Sequence, residues 1–128
     1  MKTILVIEDD KDIARVLELR LRQEGYSTLS AADGVMAVAA AQKYCPDLII
    51  LDLMLPAGGG LKVLERVKIL MKTSSIPVIV VSGMLDVEYL KQVNKEGVEA
   101  IFNKPYDPKE LLSKIKELIG ESEPIVSR

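Results

Sequence analysis

The chain contains no histidine and only one cysteine, Cys45, among its 128 residues. Without histidine the commonest general base is missing, and with it every Ser-His-Asp or Cys-His arrangement for nucleophilic catalysis. One cysteine cannot close an intrachain disulfide, and no zinc cluster can be assembled from such a set. Cys45 reads as a half-buried residue near a helix end. Long apolar runs are lacking as well: none exceeds seven residues, against the roughly 20 needed to span a bilayer. The apolar stretch in "MKTILVIEDD" leads into an acidic triplet instead of a small-residue cleavage site, so it reads as a strand and not as a signal peptide. Neither charge dominates. The 17 Lys+Arg and 19 Asp+Glu give a net charge of −2 with no basic stripe, which argues against direct nucleic-acid binding. Together these absences point to a cytoplasmic protein that does not engage a membrane.

Hydrophobic residues make up 48% of the chain, enough for one independent core at this length and too many for a disordered segment. Short β-branched runs alternate with helical stretches. The runs "TILVIE" (3–8), "YSTLSA" (26–31), "DLIILD" (47–52), "IPVIVVS" (76–82) and "EAIFN" (99–103) read as strands. Between and after them lie five helices. The first, 11–24, presents Ile13, Leu17 and Leu21 with Val16 beside them and stops at Gly25. An Ala-rich helix follows at 34–44, capped by Asp33 and ended by Pro46. The third, 61–71, places Leu61, Leu64, Val67 (or Lys68) and Met71 on one side; the fourth, 86–96, closes at Gly97. The last opens on Asp107 with Pro108 at its first position and ends at Gly120. Residues 1–120 thus form one domain, and "ESEPIVSR" (121–128) reads as a flexible tail. Strands joined by single helices give an α/β, doubly wound parallel five-stranded sheet, with its working site at the carboxyl ends of the strands.

Those ends are polar in a complementary way. Glu8, Asp9 and Asp10 follow the first strand, Asp52 the third, Ser82 and Gly83 the fourth, Lys104 and Pro105 the fifth. Taken singly, each has an ordinary structural role open to it: Asp10 or Asp12 could cap the first helix, Ser82 could serve a turn, and Lys104 could be a surface charge. Taken together they bring carboxylates, a hydroxyl and an ammonium to one edge. Clustered acids with no histidine or cysteine form a hard oxygen site suited to Mg²⁺ or Mn²⁺. A divalent ion and Lys104 would keep Asp52 ionised as a carboxylate nucleophile and neutralise a transferred phosphoryl group, with Ser82 as a further donor. The glycine-rich "AGGGLK" matches neither the P-loop nor the dinucleotide fingerprint.

With these residues assembled, "ILVIEDD", "PDLIILDLMLPAGGG", "IPVIVVSG" and "NKP" closely resemble, in order and spacing over residues 3–119, the receiver domain of bacterial response regulators in two-component phosphorelay signalling. The resemblance implies a CheY-like, flavodoxin-like (βα)5 fold with strand order 2-1-3-4-5. It implies that Asp52 accepts a phosphoryl group and that Asp9, Asp10, Asp52 and the backbone carbonyl of Met54 hold Mg²⁺. Ser82 and Lys104 would contact the phosphoryl oxygens. Met54 and Met84 would influence hydrolysis of the aspartyl phosphate, and Pro105 would follow a cis bond. The implied partners are a sensor histidine kinase or phosphotransfer protein and an unidentified output protein or domain, for a monomer or weak homodimer that catalyses only its own phosphorylation and dephosphorylation. One departure stands out: the family's switch aromatic, three residues before the lysine, is Ile101 here, and Phe102 beside it falls on the opposite strand face. Gly59 also replaces a frequent acid, which predicts a mobile loop before Gly60. Two other readings use the same fold. One is an interaction module that works without phosphorylation. The other is a Mg²⁺-dependent aspartyl-phosphate hydrolase, which needs a second acid where Met54 stands.

Overall fold

All five residues of β3 (Leu48–Asp52) and of β4 (Val78–Ser82) are buried, as uninterrupted apolar runs require when a parallel sheet is covered on both sides. The computed structural model describes residues 1–55, 59–83 and 86–121. Within them β1 (Thr3–Ile7), β2 (Ser27–Ala31) and β5 (Ala100–Asn103) complete a wholly parallel sheet in the order β2-β1-β3-β4-β5. The edge strands β2 and β5 are only partly covered. The expected topology is therefore the observed one.

Alternation along each strand sorts side chains between two cores. Ile4, Val6, Leu48, Ile50, Ile79 and Val81 pack against α1 (Lys11–Gln23) and α5 (Pro108–Ile119). Leu5, Ile7, Ile49, Leu51, Val78 and Val80 pack against α2 (Gly34–Tyr44), α3 (Gly59–Ile69) and α4 (Val87–Lys95). Ile101 belongs to the second core and Phe102 to the first, where its ring meets Tyr106 edge-on at 6.3 Å between centroids.

Three sequence expectations need revision. The buried stripe of α1 is Ala14, Leu17 and Leu21; Ile13 and Val16 are exposed, because the sheet meets the helix on the small side of Ala14. Helix α3 starts two residues before the predicted 61 and ends at Ile69; Met71 lies beyond it and is exposed. Its last turn is held by Thr73, whose buried hydroxyl donates to the Val67 carbonyl at 2.6 Å. Cys45 is exposed, as the left-handed C-cap of α2 with φ 43°. At the far end of the molecule Tyr26, almost fully buried, donates its hydroxyl to the Gly120 carbonyl at 3.0 Å. Lys116 pairs with Glu24 at 3.3 Å beside it. Among the described residues no helix is long and apolar enough to cross a membrane. The tail beyond Glu121 lies outside the described residues.

Candidate functional site

Asp52 closes β3 and pairs in register with Val81 of β4. It is 3% exposed, and a carboxylate so placed requires partners. Two are present. The Met54 amide donates to Oδ1 at 2.8 Å, and Lys104 Nζ donates to Oδ2 at 2.6 Å. Lys104 follows β5 and is joined to Pro105 by a cis peptide bond, as the family resemblance implies. Its Nζ also donates to Glu8 Oε1 at 3.0 Å, and the Asp10 amide donates to Glu8 Oε2 at 3.2 Å. Glu8 is itself buried. Continuing the alternation of Ile4 and Val6, Glu8 falls on the α1–α5 side of the sheet, where Leu48, Ile50 and Asp52 also alternate.

Two carboxylates thus share one ammonium. Burial, reinforced by the hydrogen bond with Asp52, pushes the Glu8 carboxyl up to about 7, with Lys104 only partly opposing. Burial alone would lower the Lys104 ammonium, but its bonds to Asp52 and Glu8 outweigh this and raise it. Ser82 ends β4, fully buried, and its carbonyl accepts the Lys104 amide at 2.9 Å. Gly83 is exposed, with open space around its Cα.

The structure distributes the predicted acids differently from the sequence reading. Asp9 is exposed at the rim. Asp10 is exposed too, and its Oδ1 accepts the amides of Asp12 at 2.9 Å and Ile13 at 3.2 Å as the N-cap of α1. Glu8 takes the inner position instead. Its signal in the sequence was the period-two alternation Ile4-Val6-Glu8, which an appeal to the aspartates alone overlooks. Met54 meets Asp52 through its amide, while its side chain is exposed. Met84 lies outside the described residues, as do Pro56, Ala57 and Gly58 of the loop predicted to be mobile. Gly59 and Gly60 begin α3.

Among the described residues no three carboxylates converge into a ready-made metal cage: Glu8 and Asp52 meet at Lys104, while Asp9 and Asp10 are exposed. The donor chemistry nonetheless suits Mg²⁺ or Mn²⁺, which takes one or two carboxylates and completes its shell with water and phosphate oxygens. Two acids against one lysine leave negative charge in a buried corner, and a hard cation offsets it.

Residues 4–116 match the model of the response regulator receiver domain. The chain belongs to the receiver family. The receiver is 33% identical over 125 residues to the DNA-binding dual master transcriptional regulator RpaA of Synechocystis, covering 98% of this chain and 52% of that protein. It is 34% identical over 113 residues to the DNA-binding response regulator MtrA of Mycolicibacterium paratuberculosis, covering 88% and 49%. The receiver therefore spans about half the length of these relatives. Its fold superposes with a TM-score of 0.86 on a CheY-like receiver from Methanospirillum hungatei, at 31% identity over 91% of this chain and 92% of that one. The receiver domain of a sensor histidine kinase from Pseudomonas aeruginosa, with magnesium in its active-site cleft, gives 0.84 at 26% identity over 94% and 98%. The relatives overturn one expectation. Direct nucleic-acid binding was excluded on the charge balance of 128 residues, yet the relatives are DNA-binding regulators. The charge of a stretch half their length is no measure of what the whole protein touches.

Proposed function

We propose that this receiver is the phosphoacceptor switch of a two-component system, with Asp52 as the nucleophile. The observation that carries the reading is the bridge from Lys104 Nζ to both Asp52 Oδ2 and Glu8 Oε1. It holds an ionised aspartate at the rim of a rigid strand, with a cation ready for incoming phosphoryl oxygens. A carboxylate oxygen of Asp52 attacks phosphorus in a histidine kinase's phosphohistidine or a small phosphodonor. The bond to the leaving group breaks, and the electron pair departs with that group. Lys104 then neutralises the transferred phosphoryl oxygens, and the hydroxyl of Ser82, at the end of β4, would donate to them. Mg²⁺, which neutralises the same oxygens when bound, would be held by the carboxylates of Glu8 and Asp52, with Asp9 the further acid at the rim, leaving Asp10 to its helix cap. The names of the relatives direct the output toward transcription.

Incubation with acetyl phosphate and Mg²⁺ followed by intact mass measurement tests the proposal. One added phosphoryl group on the wild type and none on Asp52→Ala is the expected result. No adduct, with fluoroberyllate also failing to bind, would overturn it. That outcome would favour the interaction module that works without phosphorylation, a reading to which Ile101 in place of an aromatic lends support.

A further inference from the structure

Helix α3 begins hard against the strand that carries Asp52. Gly60 donates its amide to the Leu53 carbonyl at 2.9 Å. A Cβ on Gly60 would lie 2.5 Å from Leu53 Cα and 2.9 Å from the Asp52 carbonyl oxygen. With backbone packed on backbone, a shift at Asp52 and Leu53 passes directly into the first turn of α3.

That turn carries amides with no acceptor inside the helix. One of them, Leu61 N–H, donates to the phenol oxygen of Tyr89 at 3.0 Å. Tyr89 stands in the first turn of α4 and is itself fixed: its amide donates to the Asp86 carboxylate at 3.2 Å, within the N-cap of that helix. Its half-buried ring packs against the core shared by α2, α3 and α4. Gly59, at φ 71°, leaves room for the hydroxyl; a Cβ there would stand 3.3 Å from it. One helix therefore caps its neighbour with a side chain. Among the described residues this is the only side-chain hydrogen bond between α3 and α4. Ile101, which faces the same core, has no polar side-chain atom with which to make another.

We infer that Tyr89 is a positioning residue for the Asp52 site, whose hydroxyl holds the start of α3 against Leu53 and carries a change at Asp52 to α4. The inference rests on Asp52 being the phosphoacceptor. Because coupling between two sites is reciprocal, a partner that displaces α4 also alters how tightly the Asp52 site takes a phosphoryl group.

The test is amide NMR on the full chain, wild type and Tyr89→Phe, which keeps the ring and removes only the hydroxyl. Without ligand, exchange of the Leu61 amide should be about fivefold faster in the variant, the effect of losing one capping bond. With Mg²⁺ and fluoroberyllate, wild-type shifts should extend through residues 53, 60 and 61 into 87–95, whereas in Tyr89→Phe they should stop at 61. Unchanged Leu61 exchange, or equal α4 shifts in both proteins, overturns the inference. Wild-type protein that binds fluoroberyllate while α4 stays silent overturns it too, and leaves the phosphoacceptor reading intact. Wild-type protein that binds none overturns both.

Discussion

Glu8 and Asp52 draw on one ammonium, and the cost of that sharing falls on Glu8. Its carboxyl titrates near 4.5 in an unfolded chain and about 7 in the folded one. Between those values the folded protein keeps a proton that the unfolded chain has released. The contribution of Glu8 to stability therefore declines as pH rises from about 4.5 to about 7, and below that window it is unaffected. Urea unfolding in EDTA should show the wild type losing ground to Glu8→Gln between pH about 4.5 and about 7; parallel profiles would contradict the assignment. Mg²⁺ reverses the balance, since it favours the ionised carboxylate, so phosphorylation from acetyl phosphate should weaken as pH falls below about 7. At this scale the sequence is legible in residue type but not in position. A run of three acids after a strand can be entered in either register, and a one-residue slip exchanges the face toward the site for the face toward solvent. Asp10 carried an N-cap signature in the same run. Only the packing of Glu8 beneath Lys104 decides between them.

At the scale of elements, helix starts and strands were readable because their signals are local. Asp33 and Asp107 each cap the helix that the sequence assigned to them, and the period-two runs became the strands. Contacts between elements were not readable in the same way. Nothing local in α1 says that the sheet will meet Ala14 rather than Ile13, and nothing in "AGGGLK" says that one glycine is there for contact. Gly60 is the clear case, because its close approach to Leu53 leaves no room for a methyl group. Gly60→Ala should lower unfolding stability by about 1–3 kcal/mol, the usual cost of overpacking a filled site. It should also slow phosphorylation of Asp52, because relief of the clash displaces the strand end. Urea titration and acetyl phosphate kinetics on one preparation check both effects. A variant as stable and reactive as the wild type would show that the strand end yields freely.

Across the whole molecule, the sheet separates two sets of side chains. Glu8, Asp52 and Lys104 meet at the carboxyl edge, with α1 and α5 on their side. Ile101, Tyr89 and the start of α3 lie on the other. The far end of the sheet has its own fastening in the hydrogen bond from Tyr26 to Gly120. Tyr26→Phe keeps the buried ring and loses that bond, so stability should fall by about 0.5–1.5 kcal/mol. Amide exchange should quicken over the last turn of α5 and leave its first turn unchanged; uniform exchange along the helix would argue against a local fastening. The bond joins residues 94 positions apart in the chain. In mechanical terms Tyr26 is a guy-line: it sets the heading with which the backbone leaves Gly120. Tension applied to the chain beyond that point loads the corner between α1 and β2 before it can peel α5 from the sheet.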